Sequence, residues 1–138
     1  MKYYSTNKQA PLASLEEAVV KGLAGDKGLY MPEHIRPLDK DTISGLKNKS
    51  FHEIACTAAQ AFFGEDIEPE TLDAIVQDTL SFETPVVPVR DNIYSLELFH
   101  GPTLAFKDVG GRFMARLLGY FIKKRRIEAG ERVGGHLR

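Results

Sequence analysis

A lysine flanked by an aromatic residue and an acid marks the part of this chain best suited to covalent chemistry. Lys107 lies between Phe106 and Asp108, within the run ELFHGPTLAFKDVGG of residues 97–111. The residues before this loop are typical of a strand and those after it of a long helix. A neutral lysine amine can form a Schiff base with an aldehyde cofactor, which then stores electrons from the substrate. The alternative is a solvated surface lysine at a helix start, and spacing alone does not separate the two.

The neighbours of the lysine predict a packed loop rather than a solvated one. The loop carries turn-forming residues and large apolar residues: Phe99, Gly101, Pro102, Leu104 and Phe106. Burial against Phe106 and Leu104 would lower the pKa of the lysine, whereas a nearby Asp108 carboxylate would oppose that effect. We therefore expect Asp108 to turn away, towards backbone amides at the helix start, where negative charge is favoured.

Two capping boxes mark helix starts in the first half of the chain. Ser14 with Glu17, and Ser50 with Glu53, have the spacing of this motif. The first helix is expected to end near Gly25, and the second near Gly64. The apolar stripes of the two helices are predicted to face the core: Leu15, Ala18, Val19, Gly22 and Leu23, then Phe51, Ile54, Ala55, Ala58 and Phe62.

Weaker signals complete the N-terminal half. A short helix is predicted from Asp39 to Leu46, and residues 28–32 resemble a turn-rich link. Pro69 suits the first turn of a further helix. Its stripe is also predicted to be core: Leu72, Ile75, Val76 and Leu80.

The second half of the sequence is predicted to form an extended segment, a turn, a strand, a loop and a helix. Residues 84–89 contain Pro85 and Pro88, which argue against a central strand. A turn is expected at residues 91–92, a strand over 93–98, and a helix from Lys107 to about Glu128. The apolar positions of this helix are Phe113, Met114, Leu117, Leu118, Phe121 and Ile122.

Bulk properties are those of an ordinary globular protein. The chain has 138 residues, 43% of them hydrophobic and 27% charged, with a net charge of −1. The basic run at residues 123–126 suits a helix C-terminus, so no nucleic-acid partner is expected. The single cysteine, Cys56, fits a reducing compartment and is expected to be a small buried residue. No membrane-spanning run or secretory signal is apparent, and we expect a cytoplasmic protein.

Two separated segments resemble one enzyme family. The run FHGPTLAFKD of residues 99–108 resembles the cofactor-lysine segment of the threonine synthases, which are fold-type II pyridoxal-phosphate enzymes. The run SLEEAVVKGLAGDKGLYMP of residues 14–32 resembles the opening of the same family. The resemblance extends from about Tyr3 to Glu131, and it identifies the chain as an N-terminal portion of a longer family protein.

The resemblance implies an α/β fold with three parts. Residues 1–83 would form a mainly helical N-terminal subdomain, and residues 84–131 the first strand–loop–helix of a truncated pyridoxal-phosphate-binding α/β domain. Residues 132–138 would be a tail foreign to the family, since Gly134 and Gly135 do not continue the expected strand.

The resemblance also implies the chemistry. Lys107 would hold pyridoxal 5'-phosphate and act as the general base at the substrate α-carbon, with Phe106 and Asp108 beside the cofactor. The reaction would convert O-phospho-L-homoserine and water to L-threonine and phosphate. Thr103 and His100 are candidates for substrate binding, with hydrogen bonding inside the loop as the alternative for each.

Several features depart from the family pattern. The Ser-Gly-Asp-Thr-Gly loop that cradles the cofactor phosphate does not occur in this sequence, and Asn7 stands where many relatives have arginine. We therefore expect little or no activity from the isolated chain. An uncovered apolar face between Phe113 and Ile122 would favour self-association.

Two other functions stay open. A threonine-synthase-like phospho-lyase would share the lysine segment but eliminate phosphate without adding water, and a non-catalytic helical interaction module would use Lys107 only structurally. No metal site is expected, because His52 and Cys56 share a helix face but no further ligand is apparent from the sequence.

Overall fold

A computed structural model describes residues 1–130, so the predictions for the tail at residues 132–138 lie outside the described residues. The described chain alternates short strands with helices. The elements are β1 Lys2–Ser5, β2 Ala13–Ser14, α1 Leu15–Lys21, β3 Tyr30–Pro32, α2 Lys40–Gly45, a 3-10 turn Leu46–Asn48, α3 Phe51–Phe63, α4 Pro69–Thr79, β4 Val86–Arg90, β5 Ile93–Leu96 and α5 Lys107–Glu128. This is the mixed α/β composition that the sequence predicts.

The chain divides into two compact units. The first combines Met1–His34 with the residues from Met114 onward, and the second is Ile35–Phe113. Helix α5 therefore contributes its first seven residues to the second unit and the remainder to the first. The domain boundary between residues 83 and 84 concerns the longer family protein and stays a prediction.

The first unit contains a small antiparallel sheet that the sequence analysis missed. Its strand order is β2-β1-β3, with Tyr3 opposite Ala13 and Tyr4 opposite Met31. The prediction of a turn-rich link at residues 28–32 was wrong for Tyr30–Pro32, which form β3. Strands of two to four residues are too short to show an alternating pattern, so only their pairing across the chain reveals them.

Helix α1 begins as predicted and ends earlier. Ser14 caps it, with both hydrogen bonds of the capping box to Glu17 present. The helix stops at Lys21 because Gly22 adopts a left-handed φ of 73°, which favours glycine. The prediction of an end near Gly25 was wrong, and Leu23, which lies beyond the helix, is 54% exposed.

A buried cluster from several segments forms the core of the first unit. Its members are Tyr3, Ala13, Leu15, Ala18, Val19, Ala24, Leu117 and Phe121. The last two come from α5, whose Met114 and Ile122 are about half exposed. The predicted apolar face of α5 is therefore only partly buried within the described residues.

Asp26 organises the loops of the first unit. Its carboxylate accepts hydrogen bonds from the Ser5 hydroxyl at 2.6 Å and from three backbone amides, those of Gln9, Ala10 and Gly28, at 2.9–3.0 Å. The hydrogen bond from Ser5, followed by those from the amides, outweighs the opposing effect of desolvation and lowers the pKa of Asp26 to about 2. One acidic side chain thus holds several turns through hydrogen bonds.

The second unit contains the helices α2, α3 and α4. Asp39 caps α2, which was predicted only as a short helix. Ser50 and Glu53 form the capping box of α3, and Pro69 occupies the first turn of α4, both as predicted. The stripe of α4 is buried at Leu72, Ile75 and Val76. The prediction for α3 was largely wrong, because Ala59 is its only buried residue, and Phe51 is about half exposed.

A two-stranded hairpin precedes the lysine loop. Strands β4 and β5 pair antiparallel with Arg90 opposite Ile93, so residues 91–92 form the predicted turn. Asp91 adopts a φ of 46°, a conformation that acidic side chains tolerate in turns. Pro88 is accommodated because each strand of a two-stranded hairpin has an edge with no ladder partner.

Candidate functional site

The predicted lysine lies where the loop after the hairpin becomes α5. Lys107 is the first residue of the helix and is exposed. Two turns precede it: the amide of Leu104 donates to the carbonyl of Gly101, and the amide of Asp108 donates to that of Ala105. An exposed primary amine at a fixed helix start could hold an aldehyde cofactor.

Asp108 is buried beside the lysine and is engaged by the loop. Its Oδ2 accepts from the backbone N–H of Thr103, and its Oδ1 accepts from the Thr103 hydroxyl, each at 2.8 Å. Desolvation acts to raise the pKa of this carboxyl, but the hydrogen bonds from Thr103 and the charge of Arg112 outweigh it and hold the pKa below its usual value. The expectation that Asp108 turns towards a backbone amide is met, although that amide belongs to the loop rather than to the helix.

Gly101 gives Asp108 the room that this arrangement needs. A Cβ on Gly101 would lie 2.6 Å from Oδ2 and 2.7 Å from Cβ of Asp108. Any larger residue would therefore push the carboxylate away or displace the loop. Leu104, in the same loop, adopts a φ of 57°, which is unfavourable for a leucine. The loop is thus held in a strained shape by contacts with the helix start.

The apolar side chains around the lysine are not packed, so the prediction of a packed loop was wrong. Leu104 is 74% exposed and Phe106 66% exposed, and Phe99 is half exposed. Within residues 1–130, Phe106 and Leu104 do not bury Lys107, because the loop is closed by polar contacts and its apolar side chains point outward.

His100 hydrogen-bonds within the same segment. Its Nε2 lies 2.7 Å from Oε2 of Glu97, and its ring stacks on Phe99 at a centroid distance of 4.7 Å. Thr103 is likewise engaged inside the loop, by Asp108. The structure thus brings the two substrate-binding candidates into the loop of Lys107, with each of them hydrogen-bonded to a neighbouring acid.

Sequence analysis missed Arg112, which ties the lysine helix to α4. Its Nη2 donates to the carbonyl of Asp78 at 2.6 Å and to the Ser81 hydroxyl at 3.1 Å, and its Nε donates to the carbonyl of Thr79 at 3.2 Å. These carbonyls lie at the negative C-terminal end of α4, where a cation is favoured. Arg112 follows Asp108 by four residues, and this i,i+4 spacing is the one sequence signal that could have pointed to it.

A second polar cluster lies between α3 and α4. The thiol of Cys56 donates to Oδ1 of Asp73 at 2.8 Å, and Nε2 of His52 lies 3.1 Å from the same oxygen. Asp73 is therefore the further potential ligand whose absence the sequence analysis assumed, and that assumption was wrong. Cys56 is only partly buried, and burial, together with the hydrogen bond and charge of Asp73, raises its pKa to about 12. The thiol is therefore poorly nucleophilic at neutral pH. The expectation that Cys56 is buried was wrong, because it is only partly buried.

No helix in residues 1–130 is both long enough and apolar enough to cross a membrane.

Known proteins similar to this chain share one name. The chain is 41% identical to a threonine synthase of Haemophilus influenzae over 118 residues, which are 86% of this chain and 27% of that protein. It is 37% identical to the threonine synthase of Escherichia coli over 118 residues, 86% of this chain and 28% of that protein. The chain therefore spans little more than a quarter of the length of these relatives.

Solved structures agree with the sequence matches. A crystal structure of PLP-bound threonine synthase from Brucella melitensis matches 91% of this chain and 28% of its own, with a TM-score of 0.84 and 37% identity. The threonine synthase structure from Escherichia coli gives a TM-score of 0.82 at 36% identity, covering 88% of this chain and 28% of its own.

The family model described as "Threonine synthase N terminus" matches residues 2–80, which are more than half of the chain. Together with the sequence identities and the shared fold, this match establishes that the chain belongs to the threonine synthase N-terminus family.

Proposed function

We propose that this chain is part of a threonine synthase, a cytoplasmic pyridoxal-phosphate-dependent carbon–oxygen lyase acting on a phosphate ester. The full reaction would convert O-phospho-L-homoserine and water to L-threonine and phosphate. Lys107 is the residue proposed to bind the cofactor. The observation that carries the proposal is an exposed amine at the start of α5, whose neighbouring acid is bound to Thr103.

The extent of the sequence matches supports the assignment of Lys107. A continuous match that covers 86% of the 138 residues must include position 107, wherever along the chain the match begins. The family model itself ends at residue 80, so support for the lysine comes from the longer matches and from the local geometry. The Brucella melitensis relative is described as PLP-bound, in keeping with an aldehyde cofactor.

In the proposed reaction, this chain would supply the residue that moves a proton. Pyridoxal phosphate, when bound, accepts the electrons that the substrate α-carbon releases. The Lys107 amine would remove the proton from that carbon as a general base. Both carboxylate oxygens of Asp108, the acid next to Lys107, are engaged by Thr103.

The other proposed site residues have secondary roles. Phe106 is exposed next to Lys107 and would offer an apolar ring to the cofactor. Thr103 and His100 are proposed to contact the substrate, and each would have to exchange its present hydrogen bond to do so. Asp108 would act by holding the loop that carries them.

Reductive labelling would test the cofactor lysine. The purified 138-residue chain is mixed with pyridoxal phosphate, reduced with borohydride, digested and mapped by mass. We expect the label to concentrate on Lys107 and to disappear from that peptide in Lys107→Arg. Lys123, on the same helix and exposed, provides the matched control lysine. Label spread evenly over the lysines would contradict a cofactor site built by this loop.

Product analysis would test the reaction. The protein that contains this chain together with the remainder of the family sequence is assayed with O-phospho-L-homoserine. We expect threonine and phosphate in equal amounts, and neither from Lys107→Ala. Phosphate without threonine would favour a phospho-lyase, and unchanged activity of the Lys107→Ala protein would favour a structural role for this chain.

A further inference from the structure

We propose that His52, Cys56 and Asp73 form a binding site for a divalent transition-metal ion, with Zn²⁺ the best-matched ion. One donor atom from each residue lies within 4.8 Å of the other two. The three side chains come from two different helices, α3 and α4. They belong to α3 and α4, whereas Lys107 belongs to α5, and the proposed cofactor chemistry uses none of them.

The separations between the donor atoms are close to those around a single tetrahedral ion. Metal–ligand bonds of about 2.0–2.3 Å place neighbouring donors about 3.3–3.6 Å apart. Cys56 Sγ lies 3.5 Å from His52 Nε2, and His52 Nε2 lies 3.1 Å from Asp73 Oδ1. The contact between His52 and Asp73 must lengthen slightly, and the contact between Cys56 and Asp73, at 2.8 Å, must lengthen more. That contact is a thiol hydrogen bond, which an ion would replace.

Helix geometry explains how the site is held. His52 and Cys56 are four residues apart on α3 and therefore project from the same face. Helix α4 packs against α3 and brings Asp73 to that face. Two donors on one helix and one on its neighbour make a bound ion a bridge between the helices.

The chemistry of the donors favours zinc over calcium or magnesium. A thiolate, an imidazole and a carboxylate are the ligands that Zn²⁺ uses, whereas the hard cations prefer sets of oxygen ligands. Binding would break the S–H bond of Cys56 and release its proton to solvent. The resulting thiolate and the Asp73 carboxylate would together neutralise the charge of the ion.

The site is open enough for an ion to enter. The side chains of His52 and Asp73 are 37% and 53% exposed, and Cys56 is partly exposed. Three protein ligands leave a coordination position for water, as in zinc sites that are not closed by a fourth residue. Because the ion would bind only the folded pair of helices, it would stabilise the fold by an amount that grows with the logarithm of its concentration above Kd.

Cobalt titration gives a direct test, because Cys56 is the only cysteine in the chain. A charge-transfer absorption from a Co²⁺–thiolate bond can therefore arise only at this residue. We expect it to saturate at one ion per full chain, to vanish in Cys56→Ala, and to reverse on addition of Zn²⁺. Asp73→Asn and His52→Ala should weaken binding at least about 10-fold, the lower bound for disturbing even the outer partners of a metal ligand.

His100→Ala is the matched control for the histidine. His100 also lies against a carboxylate, that of Glu97, at 2.7 Å, but it has no thiol beside it. This variant should bind Co²⁺ like the parent chain. Equal loss of binding in His100→Ala and His52→Ala would overturn the proposal, as would the absence of a thiolate band in the parent.

A second measurement does not depend on the variants folding. X-ray absorption of the zinc-loaded parent chain should show one sulfur ligand at about 2.3 Å together with nitrogen and oxygen ligands. The melting temperature of the parent should also rise with added Zn²⁺ and fall back with a chelator. A zinc environment of nitrogen and oxygen alone would show that the three side chains form a hydrogen-bonded cluster without an ion.

Discussion

Thr103 donates both its backbone N–H and its hydroxyl to the two carboxylate oxygens of Asp108, each at 2.8 Å. These two hydrogen bonds close the loop that leads into α5. Lys107 directly precedes Asp108 in the sequence. The proposed cofactor lysine is thus positioned by its neighbour rather than by burial of its own side chain.

Replacing Gly101 by alanine should loosen this loop. A Cβ at this position would meet Asp108 at 2.6–2.9 Å, so the carboxylate or the loop must move. We expect a loss of about 1–3 kcal/mol in the free energy of unfolding, the usual cost of overpacking, measured by urea denaturation. Gly110→Ala is the control: no atom outside its own helix backbone and chain neighbours lies within 4 Å, and alanine should stabilise the helix by about 0.5–1 kcal/mol. Equal stability of Gly101→Ala and the parent would show that the contact is not tight.

Removing the Arg112 side chain should weaken the attachment of α5 to α4. The variant Arg112→Ala loses the three hydrogen bonds that Arg112 donates to the carbonyls of Asp78 and Thr79 and to the Ser81 hydroxyl. We expect a loss of about 1–3 kcal/mol by thermal or urea unfolding. The stability of Arg112→Lys should lie between that of Arg112→Ala and that of the parent, because one ammonium group cannot reproduce the planar set of donors of arginine. Lys123→Ala, an exposed change on the same helix, should stay within about 0.5 kcal/mol of the parent.

Asp26 should make stability depend on pH in acid. Its folded pKa of about 2 lies below the ordinary value of 3.8, so its contribution is present above about pH 4 and is lost as the pH falls towards 2. The variant Asp26→Asn should therefore be less stable at neutral pH and show a flatter stability profile over that interval. Circular dichroism melts across the pH range would measure this.

An unchanged profile in Asp26→Asn would mean that its hydrogen bonds do not favour the ionised form.

Cys56 should react slowly with alkylating reagents. Burial and the adjacent Asp73 raise its pKa to about 12, so little thiolate exists at neutral or mildly alkaline pH. Asp73→Asn removes a negative charge and should increase the alkylation rate in the presence of a chelator. Comparison with the unfolded chain in denaturant gives the intrinsic rate. Equal rates in the folded parent and in denaturant would contradict the raised pKa.

The features predicted from sequence are those made by neighbouring residues. The capping boxes at Ser14 and Ser50, the proline start of α4, and the turn at residues 91–92 are each present. Each depends on contacts within about four residues, which the order of side chains specifies directly. The hydrogen bonds from Thr103 to Asp108 are also local, since the two residues are five apart in the sequence.

The wrong predictions concern side chains whose burial depends on segments that are distant in the sequence. The stripe of α3 has the same helical spacing as that of α4, yet only the latter is largely buried. The apolar residues beside Lys107 are exposed because the loop closes through polar groups. A periodic pattern predicts which face is apolar, but it does not say whether anything covers that face.

The sequence by itself determined the helices, the hairpin turn and the resemblance that singled out Lys107, because these depend on local spacing and on residue identity. Tertiary structure alone decided the β2-β1-β3 sheet, the hydrogen bonds of Asp26 to Ser5, the attachment of Arg112 to α4, and the meeting of Asp73 with His52 and Cys56. In each case the partners are separated by at least 10 residues and no local pattern links them. Their contact follows from how helices and strands pack, which is a property of the whole fold.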